Sequence, residues 1–280
     1  MLEHEVKIVR DPIRRARGER AMAHLLLSQI DVVEHRFDDE KVSRWLRDNW
    51  TLTLYANAVY LAVIFLGRRW MKDRKPYSLR KALTLWNTGL AVFSIMGFLR
   101  FYPDLQAGVL ENGFTHSVCN NHLMLNPPHN LWALLFILSK AVEFGDTIFI
   151  VLRKTPLNFL HWYHHISVFV YCTYSVSHRD PTAEWFGTLN LFVHSVMYSY
   201  YVLKAFGVRI PRSVAQSITL LQLAQFVMGL TVLGTVYRVK TLGGPCKSHD
   251  SVLWYGVLMY GSYMVLFGNF FYRRYLRPSK

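Results

Sequence analysis

The stretch Leu160-His161-Trp162-Tyr163-His164-His165-Ile166 sets three histidines inside an apolar run. At helical pitch, positions i, i+3 and i+4 share a face, so the three imidazoles point the same way. Ionisable groups within an apolar span face a polar interior and mark a site. An imidazole is a nucleophile or general base near neutral pH, and a thioester is activated enough for it to attack. Three more polar stripes offer partners. Lys140, Glu143 and Asp146 follow one another in i, i+3 steps, with Thr147 beside them. Asn190, His194, Met197, Tyr198 and Tyr201 fall at i, i+4, i+7, i+8 and i+11. Thr219, Gln222 and Gln225 repeat the i, i+3 spacing. Each stripe has a purely structural alternative: a self-neutralising ion cluster, a core histidine with one hydrogen bond, interhelical amide glue. Taken together, two histidines, a carboxylate pair and amide donors can bind, acylate, shuttle a proton and steady an enolate oxygen.

The elements that position these stripes are membrane helices. Of the 280 residues, 52% are hydrophobic and 15% aromatic. Runs of roughly 20 apolar residues recur, the length a helix needs to cross about 30 Å of hydrocarbon. The fold class is therefore an all-α polytopic membrane protein. Seven spans are expected near 50–67, 82–102, 131–152, 159–177, 184–203, 214–237 and 252–272. Residues 1–49 form a polar tail, 50–272 a seven-helix domain and 273–280 a basic tail. Within the first tail, residues 37–50 read as a short interfacial helix, with Val42, Trp45, Leu46 and Trp50 near one face. No cleavable signal peptide is read there, so the first span doubles as the insertion signal.

The net charge of +14 could suggest nucleic acid, but its placement argues against that. The loops 68–81, 153–158, 204–213 and 273–280 together hold sixteen Lys and Arg, against four in 103–130, 178–183 and 238–251. The positive-inside rule puts the C-terminus in the cytosol and the N-terminus in the lumen. The ten basic residues of the first tail oppose this, but ten acidic ones balance them. With that orientation, Asp146, Glu143, His164, His194 and Gln222 all lie roughly 8 to 14 Å inside the cytosolic boundary, at 1.5 Å per residue. Four helices place their unusual residues at one depth. The opposite halves are apolar and aromatic, as a pocket for a lipid chain would be. Cys119 and Cys246 fall in two non-cytosolic loops, where disulfides are permitted, and a Cys119–Cys246 bridge is expected. Cys172 lies within the fourth span and reads as packing.

The motifs Lys140-x-x-Glu143-x-x-Asp146-Thr147, His161-x-x-His164-His165, Asn190-x-x-x-His194-x-x-Met197-Tyr198-x-Tyr200-Tyr201 and Thr219-x-x-Gln222-x-x-Gln225 resemble, in order and spacing, the four signature boxes of the ELO fatty acid elongases. The resemblance implies the condensing enzyme of very-long-chain fatty acid elongation, a multi-pass protein of the endoplasmic reticulum membrane. Such an enzyme joins long-chain acyl-CoA to malonyl-CoA and yields 3-oxoacyl-CoA, CO2 and CoA. It implies six helices in a barrel around an acyl tunnel closed on the luminal side, with one peripheral span. His164 would accept the acyl group and His194 would be the second imidazole. His161, His165, Glu143 and Asp146 would orient and tune them. Lys140, Asn190, Tyr198, Tyr201, Gln222 and Gln225 would meet polar groups of the substrate. No cofactor or metal is implied beyond the two CoA substrates. Membrane lipid, other enzymes of the elongation cycle and a second copy of the chain are the expected partners. The filling Trp162-Tyr163 and the string Glu143-Phe144-Gly145-Asp146-Thr147 are similar to the branch that uses saturated and monounsaturated chains. The ending Arg277-Pro278-Ser279-Lys280 departs from the family's dilysine retrieval signal. A di-iron membrane desaturase or hydroxylase is the runner-up, because HxxHH is also a metal box. A seven-span receptor is the non-enzymatic alternative.

Overall fold

The computed structural model describes residues 37–121 and 127–277, together with Val32 and Glu34. Most of the polar first tail, its Arg14-Arg15-Ala16-Arg17 patch and the last three residues lie outside them. Every regular element among the described residues is helical. Helix α1 (Asp39–Asn49) starts on Asp38, whose carboxylate accepts the Lys41 main-chain N–H at 3.0 Å. That capping satisfies one of the donors a helix start leaves open. Val42 and Leu46 of α1 pack into the core. Trp45, expected on the same face, is instead 55% exposed. The contact runs along the i, i+4 pair Val42–Leu46, and Trp45 falls to its side.

After a 60° bend comes α2 (Leu52–Met71), then α3 (Arg80–Asn112) and the short α4 (Phe114–Cys119). Next are α5 (Pro127–Val142) and α6 (Phe144–Leu152), separated only by Glu143. Four longer helices follow: α7 (Phe159–Ser177), α8 (Thr182–Ala205), α9 (Arg212–Thr241) and α10 (Asp250–Phe271), the last running into a π-helical turn, Tyr272–Leu276. All seven apolar segments are thus helical, and the third is broken at Glu143. By length and composition α3, α9 and α10 with its turn could each cross a membrane, and the bent pair α1–α2 would be a fourth. Helices α7 and α8 carry the histidine and Asn-His-Tyr stripes, whose polarity lowers their mean hydropathy.

Helix α3 packs on α8, α8 on α9, α9 on α10, α10 on α7, α7 on α5, and α5 returns to α3. The six close a ring. Helix α2 lies outside it, against α6 and α7. Side chains such as Leu85, Leu110 and Leu258 are 73–78% exposed on the outer surface. Soluble monomers rarely show so much outward apolar surface, whereas lipid would cover it.

One end of the ring is tied shut. Cys119 and Cys246 form a disulfide, and the Lys247 N–H donates to the Cys119 carbonyl at 2.9 Å. Asp180 accepts from the N–H and hydroxyl of Thr182 at the start of α8, and from the Ser248 hydroxyl and the His249 N–H before α10. One buried carboxylate therefore joins two helix starts. The opposite end, where α6 and α8 finish and α7 and α9 begin, is open.

Candidate active site

The break between α5 and α6 is where the site begins. Glu143 sits at the turn with its side chain 3% exposed, and a buried carboxylate must find donors. Lys140 supplies one: its Nζ donates to Glu143 Oε1 at 2.7 Å and to Asn190 Oδ1 at 2.7 Å. With Asn190 Oδ1 facing an ammonium, the amide nitrogen must face the other way. It lies 3.2 Å from His194 Nε2. That nitrogen therefore accepts, and the ring proton belongs on Nδ1, which is 3.5 Å from Glu143 Oε1. Lys140, Asn190, His194 and Glu143 close a ring of polar contacts spanning α5, the Glu143 turn and α8. Glu143 Oε2 is left buried without a hydrogen-bond partner among the described residues.

A second network holds the other carboxylate. Asp146 Oδ1 accepts from Trp86 Nε1 at 2.6 Å and Oδ2 from the Tyr198 hydroxyl at 2.7 Å. Gly145 makes this possible, because a Cβ there would lie 2.4 Å from the Trp86 ring. We expect Gly145→Ala to cost about 1–3 kcal/mol of stability through overpacking. It should also weaken activity by freeing one Asp146 oxygen. Thermal unfolding in detergent and the rate of the reaction proposed below check the two effects.

In a third network, Thr147 Oγ1 lies 2.7 Å from the Tyr60 hydroxyl and 2.9 Å from His161 Nε2. This fixes the His161 ring. The His165 ring stands 4.5 Å from that of His161, with Tyr60 and Phe144 around it. Like the ring of His165, that of His164 makes no side-chain hydrogen bond among the described residues, and it leans on Tyr263 with centroids 5.0 Å apart. Its carbonyl accepts from the Tyr263 hydroxyl at 3.2 Å.

The four histidines and the two carboxylates line one cavity of about 770 Å³ that reaches from the middle of the ring to the open end. Of the site residues expected from sequence, His161, His164, His165, His194, Glu143, Asp146, Asn190, Tyr198, Tyr201, Gln222 and Gln225 line it. Lys140, expected to meet the substrate, does not line the cavity; it is 1% exposed and stands behind it. Two buried acceptors claim its ammonium, as a charge at that depth requires. Gln222 donates from Nε2 to the Met197 sulfur at 3.4 Å. Exposed Arg153 and Lys204 line the mouth. Tyr60, Trp86 and cavity-lining Asn87 come from α2 and α3 and were not anticipated. One of them carried a signal: a Trp within a span must place its N–H somewhere. Among the described residues no group of three or more His, Cys, Asp or Glu could hold a metal ion. The imidazoles of the HxxHH box are each turned to a different neighbour.

Comparison with known proteins matches residues 45–280 to the family model ELO, described as the GNS1/SUR4 family. Very long chain fatty acid elongase 6 of Gallus gallus is 43% identical over 255 residues, covering 91% of this chain and 96% of that protein. The Drosophila melanogaster protein of the same name is 44% identical, covering 90% of this chain and 81% of that one. Very long chain fatty acid elongase 3 of Mus musculus is 38% identical over 84% of this chain and 86% of its own length.

Proposed function

The chain belongs to the ELO family, and from that premise we propose that it is a very-long-chain 3-oxoacyl-CoA synthase, the condensing enzyme of fatty acid elongation. The observation that carries this reading is the meeting of His164 from α7 and His194 from α8 in one cavity, with Glu143 and Asn190 beside them. The relatives named as elongases support the substrate class.

The reaction runs in two halves. A nitrogen of His164 attacks the carbonyl carbon of the acyl-CoA thioester. The tetrahedral oxyanion collapses, the C–S bond breaks, and CoA leaves as the thiol, taking up the imidazole proton. The acyl group now rests on His164. Malonyl-CoA then enters. Its C–C bond to the terminal carboxylate breaks, CO2 departs, and the electron pair stays on C2 as an enolate. C2 attacks the acyl carbonyl, the bond to the imidazole breaks as that ring regains a proton from water at the open end of the cavity, and 3-oxoacyl-CoA is released. His194, its ring held by Asn190 and Glu143, is the second imidazole at the reacting centre, and the side-chain amides of Gln222 and Gln225 in the cavity are donors for the charge that builds on oxygen. The basic mouth, with Arg153 and Lys204, suits the phosphates of CoA.

The same reading places the protein as a seven-span, multi-pass component of the endoplasmic reticulum membrane with its C-terminus cytosolic. The asymmetry of basic loops supports that orientation. Other enzymes of the cycle would take up the 3-oxoacyl product, and homodimers are part of the proposal. Purified protein given malonyl-CoA labelled at C2 and a panel of acyl-CoAs should form labelled 3-oxoacyl-CoA, with CO2 and free CoA in equal amounts. Absence of labelled product with every acyl-CoA would sink the reading.

A further inference from the structure

Helix α2 stands outside the ring, yet the face it buries is not plain packing. That face runs through Thr53, Asn57, Tyr60, Ile64 and Met71, one stripe of the helix. The Thr53 hydroxyl turns back to the Trp50 carbonyl. Asn57 and Tyr60 reach across instead. Asn57 Nδ2 donates to the Ile166 carbonyl at 3.0 Å, one residue past His165. The Tyr60 ring stacks on Phe144, with centroids 4.2 Å apart at 20°, and its hydroxyl meets Thr147 Oγ1 at 2.7 Å. Thr147 Oγ1 in turn lies 2.9 Å from His161 Nε2. A helix that served only to cover the ring would do so with apolar side chains. This one starts a hydrogen-bonded chain that ends on an imidazole of the cavity.

The direction of that chain follows from counting protons. Tyr60 and Thr147 each bring one O–H, and a neutral His161 brings one N–H on either ring nitrogen. Tyr60 is 5% exposed and Thr147 0%, so bulk water supplies no substitute partner. Around the Tyr60 ring stand apolar neighbours such as Ile64 and Val151. If Thr147 donates to Tyr60, the Tyr60 proton has no acceptor among the described residues. If Tyr60 and His161 both donate to Thr147, the Thr147 proton has none. One arrangement places every proton: Tyr60 donates to Thr147, and Thr147 donates to His161 Nε2. The imidazole proton is then confined to Nδ1. That nitrogen makes no hydrogen bond among the described residues, so it stays available as a donor to a polar group that enters the cavity.

We propose that Tyr60 is a positioning residue of the reaction: through Thr147 it holds His161 in the tautomer with its proton on Nδ1. The inference rests on the condensing reading above. The test is ¹⁵N NMR of the full-length enzyme labelled at its histidine nitrogens, run beside steady-state rates with acyl-CoA and labelled malonyl-CoA. The His161 signals are those missing from His161→Gln. In wild type the proton should be found on Nδ1. Tyr60→Phe keeps the stacked ring and removes the hydroxyl, so Thr147 Oγ1 becomes free to accept from an Nε2–H. A second population with the proton on Nε2 should appear, and kcat should fall about three- to tenfold, the worth of one hydrogen bond. KM for acyl-CoA should hold, because neither Tyr60 nor Thr147 lines the cavity. Thr147→Val should break the chain too and lower kcat at least as far, whereas Thr147→Ser, which retains the hydroxyl, should keep wild-type signals and rate. A wild-type His161 protonated on Nε2 overturns the proposal. So does a Tyr60→Phe enzyme whose His161 signals and kcat are unmoved, whether or not it melts earlier. If Tyr60→Phe does not fold, wild-type signals and rate in Thr147→Val overturn it instead. A wild type inert with every acyl-CoA removes the condensing reading, while the tautomer seen in Tyr60→Phe still decides whether Tyr60 sets it.

Discussion

His164→Ala should abolish condensation, with a loss on the order of 10⁴-fold or more, as when a nucleophile is removed from a group that acts as a unit. The reason lies in which ring nitrogens are already engaged. His194 has Asn190 Nδ2 at 3.2 Å from Nε2 and Glu143 Oε1 at 3.5 Å from Nδ1. His161 is held by Thr147 at 2.9 Å. His165 is 5% exposed, with Nδ1 buried and unpartnered. His164 and His165 both line the cavity with rings free of hydrogen bonds among the described residues, but it is His164 whose backbone Tyr263 fixes through the carbonyl. A nucleophile needs that combination of a held frame and an unoccupied lone pair. Intact enzyme mixed with acyl-CoA alone should therefore release CoA and gain the acyl mass on His164, read by mass spectrometry. The alanine variant should do neither while keeping its helical content. His194→Ala should still release CoA in this half-reaction and fail with malonyl-CoA. Full turnover by the His164 variant would end the assignment.

Helical spacing made the four polar stripes legible because each is a property of a single helix. The i, i+3 and i+4 steps of Lys140-Glu143-Asp146 or His161-His164-His165 need no knowledge of neighbours. Convergence was legible too, because chain direction and rise per residue fix depth. What spacing could not supply is rotation about the helix axis. Tyr60 and Trp86 stand among ordinary apolar residues of their spans, and only the packing of α2 on α6 and the gap above Gly145 turn them onto Thr147 and Asp146. Lys140 meets a related limit. Its side chain is long enough to reach either the cavity or the back of Asn190, and the sequence does not say which. The break at Glu143 was hidden because residues 131–152 are continuously apolar around the charged positions; nothing local stops the helix there.

The ring Lys140–Asn190–His194–Glu143 yields the second large effect. Lys140→Ala removes the cation that, among the described residues, donates a hydrogen bond to Glu143, whose side chain is 3% exposed. Breaking a buried pair from one side leaves an uncompensated charge and should cost about 3–5 kcal/mol of stability. The Asn190 amide loses the partner that orients it, so the His194 tautomer is no longer imposed and activity should fall with stability. Neutralising both members separates the two consequences. In Lys140→Met with Glu143→Gln no charge is stranded, and replacing a buried ion pair by neutral groups is often close to neutral for stability. Thermal unfolding of that double variant should recover most of what Lys140→Ala loses. Its condensing rate should stay low, because a glutamine beside the His194 Nδ1–H lacks the full negative charge that holds the imidazole in place. The two readouts must therefore part company: stability tracks whether Glu143 is stranded, and rate tracks whether His194 is held. Wild-type stability and rate in Lys140→Ala would show that the ring holds nothing, while recovery of both in the double variant would show that the pair serves packing alone.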